Sequence, residues 1–218
     1  SPDKVSLIPG NHDTYTAGAH RSRRFDRSFA PFLQSDLPEL TMPGEAYPYV
    51  KLRGPVAVIG LSTALPRLPL VASGAVGREQ LACLARILAH TEVKMRTPVI
   101  LQHHPIHNPP SFAKRTMEGL SDAAQEIEAL SQVSRGLLLH GHLHRRVHRL
   151  LRTKGGHIDA VGATSASLLH ASDERMAGFN LYEIDDADGS IRDISTHALD
   201  QSTEDFRQVA LPRPDGSR

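Results

Sequence analysis

The chain has 218 residues, enough for one sizeable domain with its own core, and its 39% hydrophobic content fits a soluble globular protein. Lys plus Arg number 25 against 24 Asp plus Glu, so no global charge draws the chain to nucleic acid or to an anionic membrane. Trp is absent and aromatics are 5%, which argues against stacking platforms for single strands, and no stretch approaches a membrane span.

Residues 5–8 form a short apolar run closed by Pro9-Gly10 and are predicted to be a buried strand entering a tight loop. Residues 21–33 are predicted helical, with Phe25, Phe29 and Phe32 at helical spacing and Pro31 disturbing the later half. Residues 47–52 and 56–61, split by Gly54-Pro55, read as a hairpin or two adjacent strands. A helix follows over 78–90 with Leu81, Leu84 and Leu88 on one stripe, then a strand over 99–102. Residues 122–133 read as a second helix and 137–139 as another short buried strand. Beyond Gly141 the pattern becomes mostly strands, at 147–151, 158–161, 179–184, 191–196 and 206–211. The expected architecture is an α/β sandwich in a single domain over 1–218, its second sheet built largely from the C-terminal part, with 213–218 a loose tail.

Three of the short strands end in metal-ligand types. Val5-Ser6-Leu7-Ile8 runs into Gly10-Asn11-His12-Asp13, Val99-Ile100-Leu101-Gln102 into His103-His104-Pro105, and Leu137-Leu138-Leu139 into His140-Gly141-His142-Leu143-His144. Ligand sites in open α/β sheets gather at the carboxyl ends of parallel strands, so neighbouring strands here would bring Asn11, His103, His142 and His144 to one spot. This nitrogen and oxygen set has no thiolate and suits Mn, Fe, Co, Ni or Zn. Taken singly, each piece has an ordinary reading: Asn and Asp favour turns, and a His pair also suits a solvated loop. The ordered combination is what points to a metal site.

Together these blocks resemble the last three signature blocks of the calcineurin-like metallophosphoesterases, over the stretch from Gly10 to His144. The resemblance implies a four-layer α/β/β/α sandwich and two metal ions, divalent or of the iron type (Mn, Fe, Zn, Co or Ni), with no organic cofactor. It implies hydrolysis of small phosphodiesters or phosphomonoesters by hydroxide that two metals activate. By that match Asn11, His103 and His142 bind one metal and His144 the other, with His12 near the leaving group and Asp13 its orienting partner. A branch containing bacterial cyclic-nucleotide phosphodiesterases looks similar.

The family's opening Asp-x-His and Gly-Asp-x-x-Asp blocks occur nowhere in the chain, which starts on Ser1-Pro2-Asp3. The expectation is a domain lacking its first strands, truncated at its N-terminus, with a weakly filled metal site. The alternative reading is a degenerate domain that binds one metal weakly and has no activity by itself. Lone Cys83 allows no intramolecular disulfide, so a cytoplasmic location is expected. His107 and Asn108 are candidates for substrate contact, against a plain loop-surface position, and the arginines at 21, 23, 24 and 27 and those at 145, 146 and 149 are candidates for anion contacts, against a simple solvated role. The small residues of 162–167 are expected to pack beneath the metal loops.

Overall fold

A computed structural model describes residues 1–214, so the tail expected over 213–218 falls, from 215 on, outside the described residues. In chain order the elements are α1 (Ala17–Ser22), α2 (Arg24–Ser28), β1 (Tyr49–Arg53), β2 (Val56–Gly60), α3 (Arg78–Ala89), α4 (Thr91–Lys94) and β3 (Thr97–Gln102). They continue with α5 (Phe112–Glu118), α6 (Ala123–Leu130), β4 (Arg135–His140), β5 (Val147–Arg152), β6 (His157–Gly162), β7 (Gly178–Ile184), β8 (Ile191–Asp200) and β9 (Asp205–Val209).

The apolar runs of β2, β3 and β4 are too continuous for a strand with one wet face, and they lie side by side in a six-stranded sheet of order β1-β2-β3-β4-β6-β5. The four central strands are parallel, and β1 and β5 close the edges antiparallel. Helix α3 turns Cys83, Leu84 and Ile87 inward, and α6 turns Leu130, so one core joins these helices to Ile59, Ile100, Leu138 and Ile158 of the sheet. Strands β7, β8 and β9 form a separate antiparallel sheet. A central mixed sheet with helices and a second, antiparallel sheet make this a mixed α/β fold. Strands β5 and β6 join the first sheet, because β6 extends the parallel ladder of β4 and buries Ile158 and Ala160 in the common core.

Two local expectations need correction. The helix expected over 21–33 is interrupted at Arg23, which takes φ 48° and ends α1 as it starts α2. Its guanidinium is occupied by Asp26 at 3.1 Å, Glu45 at 3.0 Å and the Gly44 carbonyl at 2.6 Å, which fixes that corner. Residues 5–8 belong to no sheet. Tyr49, Lys51 and Arg53 point to one face of β1, and their tips take the carbonyls of the passing segment. Tyr49 Oη donates to Leu7 O at 3.0 Å, Lys51 Nζ to Val5 O and Pro2 O, and Arg53 Nε to Asp3 O at 2.7 Å. The segment therefore crosses the face of the sheet, and side chains satisfy backbone acceptors that a neighbouring strand would otherwise take.

The second sheet is tied to the first by Arg146. Its buried guanidinium donates to Thr196 Oγ1 at 2.8 Å, Met176 O at 3.0 Å, His197 O at 2.7 Å and Asp173 O. Burial lowers its pKa from the ordinary value. Arg146 was a candidate for anion contact, and its donors are instead spent on the protein's own backbone.

Candidate metal centre

The loops leaving β3 and β4 are neighbours because their strands are. Gly141 N donates to His103 O at 3.2 Å, and Ala163 N, just past β6, donates to His140 O at 2.9 Å. The chain from 10 to 13 meets them from the other side, as one turn closed by Asp13 Oδ2, which accepts from Gly10 N at 2.8 Å. Asp13 thus fixes the backbone that carries Asn11 and His12. A side chain at position 10 would crowd His103, whose Cε1 would lie 3.2 Å from its Cβ.

Three of the proposed ligands meet there. His103 Nε2 lies 2.9 Å from Asn11 Oδ1 and 3.3 Å from His142 Nδ1. His142 Nε2 lies 3.0 Å from the Glu118 carbonyl, which can only accept, so Nε2 carries the hydrogen and Nδ1 keeps its lone pair. Burial holds the His103 imidazole down to about 3, helped by the charges of His104, His142, His144 and His12. His142 is also lowered by burial, although the Glu118 carbonyl and carboxylate push it the other way. Both rings are therefore neutral, the form that ligates. Between Asn11 Oδ1 and the His142 Nδ1 lone pair, His103 Nε2 carries its hydrogen; with that hydrogen moved to Nδ1, the three atoms would offer lone pairs to one point, a donor set that suits a divalent transition ion.

His144 and His12 stand at the rim. Both are exposed, and both impose their charge on His103 and His142. His12 stacks on Tyr15, with ring centroids 5.9 Å apart. His142 and His144 have φ of 65° and 50°, in the left-handed region. Asn11, His12, His142 and His144 all line a cleft of about 690 Å³. No carboxylate joins the three converging donors, and among the described residues no group of three or more His, Cys, Asp or Glu side chains is arranged to hold a metal.

Several supporting residues escaped the sequence reading. His104, beside His103, is fully buried and has both nitrogens engaged, Nδ1 by Thr63 Oγ1 at 2.8 Å and Nε2 by Ala72 O at 2.8 Å. It braces the ligand loop, with its ring centroid 4.4 Å from that of His142. Below it Gln102 Nε2 donates to His104 O at 2.8 Å and to Glu126 Oε2 at 3.3 Å. Asn108, a candidate for substrate contact, brackets Leu120 by both its amide atoms at 2.8 Å. The arginines at 21, 23, 24 and 27 line other cavities, away from the histidines.

Glu126 gives a test of this support. Burial raises its pKa to about 8, against the lowering effect of the Gln102 hydrogen bond. In the unfolded chain the carboxyl ionises near its model value of 4.5. Between those values the folded state holds a proton that the unfolded state has released, so stability falls as pH rises through the window. Glu126→Gln removes this term. The variant is expected to gain on the order of 4 kcal/mol over the parent at pH 8 and little at pH 4.5, read by thermal melts across pH. A gain that does not depend on pH would show that Glu126 is ionised in the fold.

No family model matches the sequence, and no curated protein matches it. Among solved structures the chain is similar to one described as the structure of PhoD, at 13% identity and a TM-score of 0.39, over 74% of this chain and 43% of that one. It is also similar to a single mutant of Vps29 from Entamoeba histolytica, at 14% identity and a TM-score of 0.26, over 70% of this chain and 97% of that one. The chain therefore spans less than half the length of the PhoD structure. No helix among the described residues is long and apolar enough to cross a membrane.

Proposed function

We propose that this chain is a metal-dependent phosphoester hydrolase. The observation that carries the reading is the convergence of Asn11 Oδ1, His103 Nε2 and His142 Nδ1 within 2.9 and 3.3 Å beside an open cleft. Asn11, His103 and His142 would hold one ion, and His144 at the rim would serve a second. A bound ion of this class supplies Lewis acidity toward a phosphoryl oxygen and a nucleophile at neutral pH.

The chain's own residues do the rest. The Glu118 carbonyl keeps the His142 hydrogen on Nε2, so Nδ1 stays available. His104 and Gln102 hold the loop beneath His103, so the donor set is in place before the ion arrives. His12 stands at the rim, stacked on Tyr15 and exposed to the cleft, where it can give a proton to the leaving-group oxygen. Asp13, through Gly10 N, keeps the turn that presents His12.

A second reading is favoured by the lack of a carboxylate among the converging donors. A cation held only by neutral groups gains little to offset its lost hydration, which favours weak binding of a single ion without turnover. Titrating the chain with Mn while following a chromogenic phosphodiester separates the two. Hydrolysis that rises with Mn and stops on chelation is expected. Saturable Mn binding with no hydrolysis supports the second reading, and no binding at millimolar Mn refutes both.

A further inference from the structure

We propose, building on the phosphoester reading, that the cleft takes esters bearing a second, linked phosphoryl group, which Arg149, Arg175 and Lys114 receive. The cleft that holds His12, His142 and His144 is also lined by Lys114, Arg145, Arg149 and Arg175, and Glu118 is the one carboxylate in that lining. Arg145 leans toward Glu174 at 3.8 Å. The other three cationic side chains have no ion pair among the described residues. Some arginines elsewhere do find carboxylates: Arg53 has Asp36 at 2.6 Å, Arg96 has Glu92 at 2.8 Å, and Arg192 has Asp185 at 2.7 Å. Within this lining the four cationic side chains face a single carboxylate.

An isolated exposed arginine is usually only solvated. Here three unpaired cations share one concave space, and the charge of Arg149 is felt at His140, at the end of β4. A phosphodiester carries one negative charge at neutral pH, too little to offset three cations. A diphosphate ester carries about two or three, and guanidinium forks match phosphoryl oxygens in pairs. A cleft of about 690 Å³ has room for such a ligand beyond the group at the histidines. The reacting phosphoryl would lie at Asn11, His103 and His142, and the second would lie toward Arg149 and Arg175.

The test is binding of inorganic pyrophosphate against orthophosphate to the full chain, stripped of metal by chelation and then dialysed, followed by calorimetry. Pyrophosphate is expected to bind at least about tenfold more tightly than orthophosphate, with the steeper loss on adding salt. Arg149→Gln and Arg175→Gln are each expected to weaken pyrophosphate by about five- to tenfold while leaving the melting temperature unchanged, as suits exposed side chains. Equal affinity for the two anions, no binding of either, or pyrophosphate binding that both variants leave intact would overturn the proposal. Pyrophosphate preference without any diester hydrolysis would keep this inference and remove the hydrolase reading; hydrolysis without preference would do the reverse.

Discussion

His142→Ala is expected to abolish metal-dependent turnover and to lower metal affinity by more than about 100-fold, because even outer partners of a metal ligand typically cost about 10- to 100-fold. His142 Nδ1 is one of three converging donors, 3.3 Å from His103 Nε2, and among the described residues no carboxylate is arranged with them to hold a metal. Asn11→Ala removes the Oδ1 that lies 2.9 Å from His103 and is expected to act in the same direction. His12→Ala is different. Its ring stacks on Tyr15 at the rim, so turnover should fall by about 10²- to 10⁴-fold with metal content nearly intact. Metal analysis of the purified variants beside their rates decides the matter. Equal metal loss in all three would take from His12 its separate role at the leaving group.

Arg146→Leu is expected to destabilise the fold by about 3–5 kcal/mol, the cost of leaving buried partners of a charged group without their donor. The Asp173, Met176 and His197 carbonyls and Thr196 Oγ1 all lose a hydrogen bond at once. For a chain of this size each kcal/mol lowers the melting temperature by about 2–4 °C, so a drop of about 10 °C is expected. Arg146→Lys should recover little, since an ammonium on a flexible stem cannot reach four acceptors that a planar fork spans. A melt within about 2 °C of the parent for the Leu variant would show that the two sheets hold together without this contact.

Where the chain's own periodicity governs, the fold was legible. Strands β3 and β4 and helices α3 and α6 declare themselves through runs and stripes of apolar residues, and each bears out as an element of its kind. Asn11, His103 and His142 could be singled out because their motifs follow apolar runs, even though the first run lies outside both sheets. Nothing local reveals that Tyr49, Lys51 and Arg53 would capture the carbonyls of residues 3–7 from across the sheet. Glu118 holds His142 by a backbone carbonyl, which every residue possesses, so no sequence signal marks it. Glu126 lies on an amphipathic helix, where a carboxylate ordinarily faces water, yet it is fully buried under Gln102. Arg146 sits among arginines that look alike in sequence, and only the placement of the second sheet separates it from Arg145 and Arg149.

The backbone at His142 and His144 has a consequence for how the chain tolerates change. At φ 65° and 50° both residues occupy a region that costs an ordinary side chain about 1 kcal/mol and costs glycine almost nothing. His144 is exposed and repays little of this through packing, so His144→Gly is expected to raise stability by about 0.5–1 kcal/mol, read as a higher denaturant midpoint. Thermodynamics thus rewards losing the imidazole, and only a use for it opposes that loss. In an unselected library sorted purely for folding, position 144 should fill with glycine and asparagine; in one sorted for metal uptake or turnover, histidine should return. The contrast between those two outcomes would measure how much selection the rim of this cleft requires to persist.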